Sequence, residues 1–427
     1  MANQFKLTSK VATKTMLLML KNALVYGKNA SKDFTDKFGN SSEQIGSTLS
    51  IRRPQEFIVS DGATFVNQDI VTGSGSVTID KQKHVGYKFQ PTERELSVDE
   101  LLKNSILNAK MTQLAQQIES DIAEVHKEFA HWVGTPGQLV NSPDDFLYGP
   151  QRLDELAVPQ SDRRGIMPPA DFYRTGASFL ANNFFGNSTN DRVLNNMKLP
   201  MIGNVQPTMG QTTVAITTGT RAPADSTGIQ VDGDNQNVNY ATVKDGYTQT
   251  INLKNLNAGG TVKKGETFSI AGVNAVNPRT KSDLGYVQEF TVLEDASADS
   301  TGDITLTIAN PIIIASGADE TLRTNQAFQT CAEAPSDNDV VTFKGSASTT
   351  YNVSTIFHKS AIQVAFVKPA RPHDGEFSYA TDPETGITIR NWAFSDGVND
   401  VHSYRTDVIY GVTNFDRRLG LKLSGRA

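Results

Sequence analysis

Six histidines, one cysteine and a few acidic clusters are the residues through which this sequence could hold a metal or run nucleophilic chemistry. His126 and His131 stand five apart in a helix-like stretch, whereas a helical metal pair needs a spacing of four so that both rings share a face. They read as helix-surface histidines. His358 and His373 have no local ligand partners. Cys331 lies in a polar, loop-like stretch with no neighbouring His to generate a thiolate. Asp232, Asp234 and Gln236 imitate the start of a calcium loop, but Asn237 stands where that loop turns on Gly, and no Glu closes it. An exposed acidic loop is the better reading. There is no Gly-x-x-x-x-Gly-Lys phosphate loop and no Gly-x-Ser-x-Gly nucleophile elbow. The Gly- and Lys-rich run from Gly259 to Thr267 lacks the phosphate-loop spacing and reads as a turn into a strand. No catalytic, cofactor or metal site is expected, and weight moves to a structural or binding role.

The bulk numbers agree with that shift. A chain of 427 residues leads to an expectation of two or three domains. With 38% apolar residues and 33 Gly it can bury ordinary cores. Forty Lys and Arg against 46 Asp and Glu give a net charge of −6, which argues against a dedicated nucleic-acid binder. One cysteine excludes an internal disulfide framework and any multi-Cys metal site, and suits a reducing cytosol. No run approaches the roughly 18 apolar residues of a membrane span, and no signal-peptide pattern is present. A soluble, unexported protein is expected.

Residues 1–45 form a polar arm with one helix, about residues 8–25, striped by Val11, Leu17, Leu18, Leu24 and Val25. Residues 1–30 carry Lys6, Lys10, Lys14, Lys21 and Lys28 and no acid, which fits a solvated face or an arm that docks on an acidic partner. From 46 to 90, period-two alternation at Leu49/Ile51, Phe57/Val59, Val77/Ile79 and Val85/Tyr87/Phe89 predicts strands, with turns at Asp61-Gly62 and in Thr72–Ser76. A protruding β-hairpin is the economical reading. Ser97 and Glu100 make a capping box, followed by Leu107, Met111, Leu114, Ile118, Ile122, Val125, Phe129 and Trp132 on one helical face. Gly134 and Pro136 would stop that helix, whose length would be about 54 Å. Residues 142–200 mix short helices with Pro-rich turns, and Asp171–Phe185 reads as one helix after Pro168-Pro169. From about 212 to 350 helical stripes vanish. Strands are predicted at Thr213–Thr217, Thr267–Val273, Glu289–Leu293 and Ile304–Ile308, with turn clusters at Asp232–Asn237 and Ala296–Gly302. From 351 the chain is mixed again. An all-β block between mixed segments marks an inserted domain.

The order of arm, hairpin, long helix, mixed core, β insertion and mixed return resembles the tailed-phage and herpesvirus capsid fold. More specifically it resembles the major coat proteins of short-tailed Salmonella-type phages, which carry an insertion domain. Four stretches bear the likeness: Gly46–Pro54, Val262–Val273 with Phe290–Val292, Phe357–Ala361, and Asp407–Val412.

That resemblance implies an α+β chain with an N-terminal arm (1–45), an extended loop with peripheral-domain strands (46–96) and a spine helix (97–133). It further implies a split axial domain (134–211 and 351–427, the latter including a C-terminal return) and an inserted barrel-like β domain (212–350). The implied function is a non-enzymatic shell subunit. It would assemble as pentamers and hexamers into an icosahedral capsid around double-stranded DNA, in the bacterial cytoplasm, with scaffolding and portal proteins and no membrane. Arg52, Arg53, Asp232 and Asp234 become candidate intersubunit contacts, and Lys6, Lys10 and Lys14 a candidate scaffold-contacting arm. A shell subunit gains stability from many modest contacts at once. An acidic balance also avoids tight, salt-sensitive capture of packed DNA. The alternatives are a nanocompartment shell around an enzyme cargo, an enzyme with a β appendage, and a jelly-roll capsid or tail protein.

Overall fold

The structure is a computed structural model. It describes residues 4–32, 46–63, 67–89, 105–182, 193, 197–315, 320–382, 386–396 and 401–426. The chain divides into two compact units.

The first unit draws on residues 1–50, 76–125 and 362–415. Its sheet has five antiparallel strands. The long strand Val401–Asn414 pairs with Thr388–Asp396, with Ile362–Val367 and with Lys81–Phe89, and Glu376–Thr381 pairs with Thr388–Asp396. The N-terminal helix, Gln4–Ala23, contacts two of these strands. Its apolar face is buried at Met16, Leu17 and Leu20, but Leu18 is 60% exposed. The expected stripe therefore holds in part, because Leu18 falls off the face that Leu17 and Leu20 share.

The long helix runs Ser105–His126. Leu107, Met111, Leu114, Ile118, Ile122 and Val125 are all buried, as the three-and-four spacing requires. Each such side chain contributes about 2 kcal/mol of burial. The Ser97–Glu100 capping box lies outside the described residues. The expected continuation to Trp132 is corrected: the helix ends at His126, and His131–Val133 is a strand. Phe129 and Trp132 are buried, but by sheet packing. Ala130 gives its N–H to the Arg417 carbonyl, so tertiary pairing replaces the next helical turn.

The second unit draws on residues 51–75, 126–361 and 416–427. One sheet orders His131–Val133, Gly420–Leu423, Thr350–His358, Arg163–Met167 and Gln206–Met209, with Val214–Thr217 also on Thr350–His358. Pro169–Asn182 is helical, beginning on proline, whose missing N–H is no loss there. A closed barrel forms from Thr267–Val276, Asp283–Val292, Ile304–Ala309, Thr248–Lys254, Ile229–Val231 and Val340–Phe343. In Thr248–Lys254, Gln249, Ile251 and Leu253 point inward while Thr250 and Asn252 face out. Ile251, Leu253, Phe268, Phe290 and Leu306 are fully buried in the barrel core. Closure removes the unpaired strand edges that an open sheet would expose.

Three further expectations are corrected. Phe57–Val59 is extended without a ladder, and among the described residues the strands of the hairpin are Thr48–Arg52 and Ser74–Thr78. Its arms are bridged instead by Gln68, whose amide accepts from the Ile58 N–H and donates to the Ile58 carbonyl. His126 and His131 are not surface residues, since each is 1% exposed. The His126 ring packs edge-on against Phe129 and Phe357, with centroids at 5.3 and 4.7 Å. Cys331, despite its polar, loop-like stretch, is buried in the barrel core and bridged to Ala275. Burial pushes its thiol up to about 12, which makes it inert.

Candidate assembly surfaces

The extended loop is the first surface. Its root is held and its far part is bare. Arg52 is exposed, whereas Arg53 is half-buried, with its guanidinium 5.5 Å from the centre of the Tyr247 ring. Burial pushes the Arg53 pKa down. Glu56 receives Lys281 at 3.3 Å and Arg418 at 3.4 Å. Beyond this root, Phe57 is 60%, Ile70 69% and Val59 91% exposed. Isolated exposed apolar residues are ordinary; here three stand on one loop.

The acidic loop at Asp232–Gln236 is the second. It is tied to its own barrel. The Asp234 carboxylate accepts the Asp337 N–H at 2.7 Å, and Asp337 accepts the Gly233 N–H at 2.9 Å. Lys254 reaches Asp337 at 2.5 Å and Asp232 at 3.8 Å. The hydrogen bond to Asp337 raises the Lys254 pKa. Asp232 and Asp234 remain exposed although a cation of the same chain sits among them.

The N-terminal segment is the third. Lys14 is exposed; Lys6 and Lys10 lie on the same helix, and their side chains are outside the described residues. The segment is stitched to its unit by Thr13 to Ser378 at 2.6 Å, Lys21 to Asp382 at 3.2 Å, and a bridge between Ser31 and Gln363. The buried Glu119 carboxylate takes the N–H groups of Tyr26 and Gly27.

Buried charge is spent on structure. Asp407, fully buried, takes Arg390 at 2.9 Å and Arg405 at 2.5 Å. Lys422, also fully buried, donates to Thr267 at 2.8 Å, Thr291 at 3.0 Å and the Gly265 carbonyl at 3.1 Å, and burial drives its pKa far down. Asp407 is satisfied by arginines and Lys422 by hydroxyls and a carbonyl of the surrounding fold. Among the described residues no cluster of His, Cys, Asp or Glu could hold a metal, and no helix is long and apolar enough to cross a membrane.

Sequence reasoning passed over Tyr247, Glu56, Lys281 and Arg418. No local signal could have found them, because their partners lie up to 362 positions away in the chain.

The chain combines an extended loop with exposed apolar residues, an N-terminal helix docked on its sheet, and a closed barrel inserted between strands of one sheet. The family model described as P22 coat protein, gene protein 5, matches residues 1–425, and the chain belongs to that family. It is a bacteriophage major coat protein, and its role is structural. The alternative of a shell around an enzyme cargo has no support. Solved structures with similar folds include one from Mycobacterium phage Che8 (9% identity, TM-score 0.44, 93% of this chain and 90% of that one). The capsid of cyanophage P-SCSP1u is similar at 8% identity and TM-score 0.41, covering 91% and 86%. The CUS-3 coat protein I-domain matches 28% of this chain and 96% of its own, at 25% identity and TM-score 0.21. No curated protein sequence matches the chain.

Proposed function

We propose that this coat protein assembles as pentamers and hexamers into a shell that encloses double-stranded phage DNA, built in the host cytoplasm with scaffolding and portal proteins. Residues 1–45 serve as the arm and 46–96 as the extended loop and peripheral strands. Residues 97–133 contain the spine helix, 134–211 and 351–427 make the axial domain and C-terminal return, and 212–350 is the inserted domain. No catalytic step belongs to this role.

The observation that supports it most is the exposed apolar set Phe57, Val59 and Ile70 on a loop whose root is fixed. Covering it with a neighbouring copy would remove apolar surface from water at many equivalent positions of a closed shell. Arg52, beside that root, and the exposed Asp232 and Asp234 are the charged contacts proposed between subunits; Arg53 would act through the root it helps hold. Lys6, Lys10 and Lys14 are proposed to meet an acidic segment of the scaffolding protein.

The test is Phe57→Ser combined with Val59→Asp. Both sites are exposed, so the subunit should fold, remain soluble and fail to form closed shells in sedimentation. Normal shells would remove the loop from the interface. Charge reversal at Lys10 and Lys14 should abolish scaffold-directed assembly while leaving the folded subunit intact.

A further inference from the structure

We infer that Tyr247, with Arg53 and Arg418 over its ring, is the positioning element that fixes the course of the extended loop on the barrel-bearing unit before any neighbouring subunit arrives. The inference deepens the proposed overlap of this loop with a neighbour and rests on it for its role in assembly.

Tyr247 is 4% exposed and sits at φ +50°, a left-handed conformation that a bulky side chain rarely adopts. Its N–H closes on the Val243 carbonyl at 2.8 Å. Such a conformation persists where the surroundings over-determine it. Arg418 is 4.7 Å from the ring centre, and Asp416 holds its guanidinium through two contacts at 2.9 and 3.1 Å. A fork gripped at two points keeps its plane. Arg53 reaches the same ring from the loop. Its backbone N–H bonds the Gly73 carbonyl at 2.8 Å and its Nε the Ser74 carbonyl at 3.4 Å, so the two arms of the loop are tied together where they meet Tyr247.

Both arms are fastened. On the first, Glu56 receives Lys281 and Arg418, and Ile58 packs against the cluster of Tyr240, Tyr247, Ile313, Ala327 and Phe328. On the second, Val71 packs against the same cluster. Ser74 donates its N–H and hydroxyl to Asp245 at 3.2 and 2.8 Å. Gly73 lies so close that a Cβ there would stand 2.2 Å from the Lys244 carbonyl oxygen. Only glycine permits that approach. A loop ordered in advance avoids the entropy that a floppy hairpin would lose at every contact it makes.

The test uses the full chain. Arg53→Met removes the guanidinium from the ring, and Gly73→Ala pushes the second arm off by sterics alone. In hydrogen exchange on the unassembled subunit, the amides of Arg53, Ile58 and Ser74, which are bonded in the docked loop, should exchange about tenfold faster in either variant. Thermal unfolding of the barrel should change little. In assembly, closed shells should give way to irregular ones. Bridging Ser74→Cys to Asp245→Cys with a short thiol crosslinker in the Arg53→Met background should restore closed shells; buried Cys331 does not compete for the reagent. Unchanged exchange in both variants would overturn the docking. Slower exchange on bridging with shells still irregular would overturn its role in assembly. The exchange measurement needs no shell, so a failure of the overlap reading would show separately, as normal shells from the Phe57→Ser, Val59→Asp subunit.

Discussion

The Glu119 carboxylate on the long helix accepts the backbone N–H of Tyr26 at 2.7 Å, and its second oxygen takes the next N–H, that of Gly27, at 3.0 Å. One buried side chain thus satisfies two donors of a segment 93 positions earlier. Burial raises the Glu119 pKa, while the N–H groups of Gly27 and Tyr26 pull it down by less. An acid whose folded pKa exceeds its unfolded one contributes stability that is full below the unfolded pKa and lost as pH rises through the folded pKa. Glu119→Gln keeps an acceptor and removes the buried charge, so the decline in stability above about pH 4.3 should flatten. Glu119→Ala strands both donors and should cost about 1–3 kcal/mol. Urea unfolding against pH checks both. A steeper decline in the Gln variant would contradict the sign.

His126 and His131 act in the opposite direction. Burial lowers them, to about 3 and about 4, with Glu289 partly opposing the shift at His131. The unfolded chain takes up these protons near pH 6.5 and the folded one does not. Their contribution is present above the unfolded pKa and lost as pH falls toward the folded values. The unfolding midpoint should therefore drop between about pH 6.5 and 4, and His126→Phe should shrink that drop. An unchanged slope would show that His126 is charged in the fold.

Ile118 is fully buried on the helix stripe. Ile118→Asp puts an unpaired carboxylate there and should cost about 4 kcal/mol or more. Aggregated or unfolded subunits are the expected product in solubility and circular dichroism measurements. A soluble subunit with wild-type unfolding would remove the stripe from the core.

Lys254 is the cation of the acidic loop. Lys254→Met should leave global unfolding unchanged, because the pair with Asp337 is at the surface. The amides of Gly233 and Asn235, bonded to Asp337 and to the Pro335 carbonyl, should lose protection in hydrogen exchange. Retained protection would mean that backbone pairing alone holds the loop.

What the sequence disclosed follows the range of each interaction. The stripe from Leu107 to Val125 and the strands at Thr267, Glu289 and Ile304 were legible because periodicity records burial along one element. The end of the helix at His126 was not, since Phe129 and Trp132 keep the helical spacing although Trp132 pairs in a strand and Phe129 packs on Phe357 outside any helix. The depth of His126, His131 and Cys331 was hidden for the same reason: local polarity does not report which chain segments later cover a residue. At the candidate surfaces, the alternation of Phe57 and Val59 imitates a ladder strand, but both side chains are exposed on an unpaired extended segment. Arg53 stands in a family-like stretch, but its partner Tyr247 is distant in sequence and carries no local signal.

The most direct test of the central claim is sedimentation and negative-stain electron microscopy of the chain expressed alone and with its genomic neighbours. Closed polyhedral shells, more uniform when the neighbours are present, are the predicted result. A stable monomer or small oligomer under both conditions would contradict the account.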